Sequence, residues 1–132
     1  MQSQSSFMLI FRDTTPEKYE AMSPVQRKES LDHWNAWYDG IEAAGQMKHG
    51  HPLRPAGRLV SGQRGESILD GPFSEAKETI GGYFLITASD IDEATEIARR
   101  CPNLVNGMTV EVRPVGEMCH LAEELGMSSM RG

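Results

Sequence analysis

The chain has 132 residues, 39% of them hydrophobic, and a formal net charge of −6. That is enough for one domain with its own core and too acidic for a nucleic-acid partner, whose phosphates demand a concentrated basic surface. Cys101 and Cys119 follow no metal-ligand spacing, so two reduced thiols in the cytoplasm are expected, and MQSQSSFMLIF has neither the basic n-region of a signal peptide nor the roughly 20 apolar residues of a membrane span.

In chain order, Phe7 to Arg12 opens with five consecutive apolar residues and predicts a strand that is hydrophobic on both faces. Pro16 and Pro24 punctuate the connection. From Pro24 to about Ala44, Leu31, Trp34, Tyr38 and Ile41 fall at three- and four-residue steps, with Trp37 and Ala44 widening the stripe. This predicts an amphipathic helix with Ser23 as N-cap, Pro24 in its first turn and Gly45 as its stop. Residues 46–57, rich in glycine and proline, read as an irregular connection, followed by a hairpin pairing Arg58 to Ser61 with Glu66 to Leu69. Tyr83 to Ala88 is a second strand apolar on both faces, and Ser89 or Asp90 caps a helix carrying Ile91, Ala94, Ile97, Ala98 and Cys101. Pro102 ends that helix, and Thr109 to Val115 alternates, with Val110 and Val112 opposite Glu111 and Arg113.

Strand, helix, strand pair, helix, strand is the order of the ferredoxin-like βαββαβ fold, an α+β antiparallel sheet with its helices on one face. The uncovered face, apolar at Phe7 to Phe11 and Tyr83 to Ile86, then calls for a cover. A second copy packed sheet to sheet is the expected one, so the chain is read as a homodimer. The alternative cover is a short helix in the tail from Met118, with Leu121 and Leu125.

The candidate site centres on LDGPFSEAKETIGG, residues 69–82, where a turn and several charges precede a glycine pair. Asp70 is either a general base or a turn brace accepting a backbone N–H. Phe73 can anchor the loop, and Lys77 and Glu78 are ligand-binding candidates against the reading of a solvated charged face. Arg113, projecting opposite the valines, can clamp a carboxylate or phosphate with its planar fork or form a salt bridge. His49-Gly50-His51 puts two imidazoles on one side of an extended segment, but no third ligand accompanies them, and no native metal is expected. No phosphate loop or nucleophile elbow is present, and no cofactor is expected.

DGPF, EAKE and GGYF, together with SFMLIF, EAAG, GGYFLITASDIDEATEIARRCP and VEVRPV, resemble the DGPF branch of the YCII-related proteins, a bacterial family. The resemblance covers residues 6–116, leaving 117–132 as a C-terminal extension of the single domain. It implies a dimeric α/β barrel. It also implies a histidine–aspartate pair whose histidine falls at or next to Trp34, which makes His33 the near match and an acid–base partner for Asp70. Two functions are then expected. One is binding or transformation of a small organic molecule in a cleft near the DGPF loop, by cofactor-free isomerase-, lyase- or oxygenase-like chemistry. The other is a non-catalytic module linked to sigma-factor-dependent transcription, because relatives of this kind occur beside sigma factors.

Overall fold

The computed structural model describes residues 4–13, 17–54, 56–71, 79–116 and 119–126. Strand β1 spans Ser5–Asp13, followed by a single helical turn α1 at Glu17–Glu20 and the long helix α2 at Pro24–Ala43. Ser23 and Gln26 cap α2 reciprocally: Ser23 Oγ accepts from the Gln26 N–H at 3.2 Å, and Gln26 Oε1 accepts from the Ser23 N–H at 2.8 Å. At the other end Gly45, at φ 74°, turns the chain left-handed, and the Gly45 and Gln46 N–H groups bond back to the Glu42 and Ile41 carbonyls. This paired closure satisfies carbonyls that the helix cannot.

The segment read as an irregular connection is instead in part a strand, β2, at Met47–Pro52. The glycine and proline that argued for a loop suit an edge strand. Pro52 closes it, and Gly50 leaves the space occupied by the Phe84 ring, whose Cδ1 would lie 2.4 Å from an added Cβ. Strands β3 (Arg58–Ser61) and β4 (Ser67–Asp70) form the expected hairpin. Its turn uses left-handed glycines at 62 and 65, with φ of 93° and 68°. Strand β5 runs Thr79–Ala88, starting earlier than expected because Gly81 is absorbed where the β1 register shifts. Asp90 caps α3 (Ile91–Ala98) by accepting from the Glu93 N–H at 2.8 Å. A 3₁₀ turn at Pro102–Asn106, strand β6 (Thr109–Pro114) and helix α4 (His120–Glu124) complete the order.

The four-stranded sheet has the order β2-β5-β1-β6, antiparallel throughout, which is the ferredoxin-like arrangement. The β3–β4 hairpin is a separate two-stranded sheet inserted between β2 and β5. Alternation along the strands sends Phe7, Leu9, Phe11, Phe84, Ile86 and Ala88 to one face. There they meet Trp37 and Ile41 of α2 and Ala94, Ile97 and Ala98 of α3. Trp37 joins the two helices by donating Nε1–H to the Ile97 carbonyl at 3.1 Å. Burial pushes the Cys101 thiol above its ordinary value.

The opposite face carries Met8, Ile10 and Leu85, all half-buried, inside a polar border. Lys48 Nζ reaches Ser6 Oγ at 2.7 Å on one side, and Arg12 pairs with Glu111 at 2.6 Å on the other. The apolar area is therefore narrower than strand composition predicts, because every second residue of the two greasy strands belongs to the helix-covered core.

Candidate functional site

One face of α2 does not pack flat on the sheet. Leu31, Trp34, Asn35 and Tyr38, at helical steps, stand over the end of the sheet where β2 and β5 present Gly50, Gly81 and Gly82 in place of side chains. The result is a cleft of about 440 Å³. Its walls are aromatic: Phe11 lies edge-on to Trp34 at 5.0 Å and to Phe84 at 4.9 Å, and Tyr38 meets Phe84 at 5.5 Å. Met108 closes one side. His51 contributes main chain here, since it pairs with Tyr83 across the ladder and alternation sends both side chains to the other face.

At Gly82 the floor cannot be filled in without moving backbone, and at Gly50 an added side chain would meet the Phe84 ring. An added Cβ at Gly82 would lie 2.9 Å from the His51 carbonyl oxygen. Polar groups are few, with the Asn35 amide the main side-chain handle beside the Tyr38 hydroxyl. A mostly apolar concavity with sparse, placed polar groups is the usual form of a small-molecule site. Gly81 and Gly82 stand near the start of β5, which opens at Thr79, so the cleft lies at the end of the sheet where that strand begins.

Asp70 ends β4, with its side chain 76% exposed and held by Arg58 Nε at 2.8 Å. His33 is exposed on α2, one position before Trp34. Among the described residues no hydrogen bond joins His33 to Asp70. Arg113 lies on the face opposite the cleft, 3.5 Å from Glu111, which also holds Arg12. Phe73, Lys77 and Glu78 lie outside the described residues.

Leu31, Trp34 and Tyr38 were read as the apolar stripe of an amphipathic helix, and a stripe at helical spacing looks the same whether it is buried or lines a cavity. The Gly81-Gly82 pair belongs to the candidate segment 69–82, whereas Gly50 stands in the stretch read as an irregular connection; together they leave the floor beside those rings without side chains. Among the described residues no helix is long and apolar enough to cross a membrane.

An uncharacterised protein of Rhizobium meliloti (strain 1021) is 46% identical over 54 residues, covering 39% of this chain and 43% of that relative; the match thus takes in less than half of the relative's length. The YCII-related domain matches residues 6–118, a span containing all four strands of the sheet and both helices that cover it. The chain belongs to the YCII-related domain family.

Proposed function

We propose that this chain binds, and acts upon, a small aromatic or otherwise apolar organic molecule in the cleft between α2 and the sheet. The observation that carries this reading is an aromatic wall facing a floor without side chains, with exposed Asn35 also in the lining. In this reading Phe73, Lys77 and Glu78 contribute ligand-binding groups, and Asp70 with His33 supplies acid–base groups for a cofactor-free step. Arg113, on the other face, serves as an anion clamp only across a seam between subunits. A second copy of the chain covers the strip of Met8, Ile10 and Leu85.

The test is a thermal-shift and calorimetric screen of benzoate-like acids against aliphatic acids of matched size. Aromatic compounds should raise Tm and quench tryptophan fluorescence, and Trp34→Ala should abolish both effects while the variant stays folded. Binding that survives Trp34→Ala and Asn35→Ala alike would place the ligand elsewhere. Asp70→Asn divides the two roles of that carboxylate: lost turnover at unchanged Tm identifies the base, whereas a lowered Tm identifies a brace for Arg58.

The exposed hairpin favours a second reading, a protein-interaction module tied to sigma-factor-dependent transcription. Leu59, Val60, Ile68 and Leu69 are 53%, 64%, 62% and 56% exposed, an apolar surface of the kind that protein partners cover. Capture of a sigma factor that is lost in a Val60→Ser, Leu69→Ser variant would support it. Unchanged capture by that variant would remove the hairpin from the argument.

A further inference from the structure

We propose that His49 and His51 form a binding site for a divalent transition-metal ion on the sheet face opposite the cleft. The two residues occupy alternate positions of edge strand β2, paired with Leu85 and Tyr83 of β5, so both rings stand on the same face. Both side chains are exposed, and their ring centroids are 6.0 Å apart at an interplanar angle of 34°. A small side-chain rotation lets one ion at ordinary metal–nitrogen distances touch both rings.

The Tyr83 hydroxyl lies 3.1 Å from His49 Nδ1, and its ring lies 5.6 Å from that of His49 and 6.0 Å from that of His51. A histidine that ligates a metal commonly donates its second ring N–H to a fixed acceptor, which sets the tautomer and orients the ring. With His49 in the tautomer that carries its proton on Nδ1, the Tyr83 hydroxyl is that acceptor and Nε2 is the nitrogen left for the ion. Lys48, between Met47 and His49, has its ammonium at Ser6 Oγ, so the neighbouring cation is anchored elsewhere.

Among the described residues no group of three or more His, Cys, Asp or Glu side chains converges. The chain therefore provides two nitrogen donors, and the remaining positions go to water or an added ligand, as at metal sites that keep open coordination. Neutral imidazoles select zinc, nickel or copper over magnesium or calcium, which prefer oxygen. The overall acidity of the chain, −6, favours approach of a cation. The site is independent of the cleft, which lies on the helix-covered face.

The experiment uses tag-free chain titrated with NiCl2 by calorimetry and with CoCl2 by visible absorption. Saturable uptake of one ion per chain is expected, lost in His49→Gln and in His51→Gln and retained in His33→Gln and His120→Gln. Tyr83→Phe should weaken binding about tenfold at unchanged Tm, the mark of a positioning residue. In case a variant misfolds, imidazole ¹H–¹⁵N spectra of the wild-type chain with added Zn²⁺ provide a direct reading, with shifts expected at His49 and His51. Absence of saturable uptake by the wild type, uptake unchanged in the His49→Gln, His51→Gln double variant, or shifts confined to His33 or His120 would each overturn the proposal.

Discussion

At the residue scale, single groups set the shape of the cleft and the chemistry of the core. Gly50→Ala would bring a methyl within 2.4 Å of Phe84, and that ring is already held by Phe11, Trp37 and Tyr38. Overpacking should cost about 1–3 kcal/mol in chemical denaturation and change ligand affinity, because the displaced ring is a cleft wall. Cys101 offers a second check. Burial raises its folded thiol above the ordinary value of 9.0, so as pH climbs past that value the unfolded thiol ionises while the folded one stays protonated, and stability falls. Native protein should accordingly react with a thiol reagent at half-exposed Cys119 first, and at Cys101 only when denaturant is added. Of the candidate site residues, Asp70 shows where residue-level reading ends. Its turn chemistry was legible, but whether its oxygen meets a backbone N–H, a substrate or Arg58 depends on which strand pairs beside it.

At the element scale, local signals were read most completely where one segment satisfies its own backbone. Ser23, Pro24 and Gly45 bound α2 as expected because caps act within a few residues. Ser23→Ala should lower stability by about 1 kcal/mol and Tm by about 4 °C, measured by thermal unfolding. Strand β2 was missed for the converse reason. Its glycine and proline weaken an isolated strand, and what makes it a strand is the ladder offered by β5, brought beside it by the chain reversal at Gly45. Among the described residues the β3–β4 hairpin forms a two-stranded sheet of its own, and a lone two-stranded ribbon is marginally stable in water. Its amides should exchange with deuterium well before those of β1 and β5, unless a partner covers it.

At the scale of the whole molecule, the face bearing Met8, Ile10 and Leu85 decides the assembly. The chain mass is 14.6 kDa. Sedimentation at micromolar concentration should return twice that mass, and Ile10→Asp should return the single-chain value by placing a charge in the seam. A single-chain mass for the wild type would mean that the polar border of Lys48, Arg12 and Glu111 suffices in water. The apolar runs of β1 and β5, the alternation of β6, the two amphipathic helices and their order were enough to name a ferredoxin-like sheet from the sequence, because period and capping are properties of neighbouring residues. The cleft and the His49–Tyr83 contact were not readable in that way. Each joins segments more than 30 residues apart, and such meetings depend on strand register and on where α2 crosses the sheet, which no local pattern encodes.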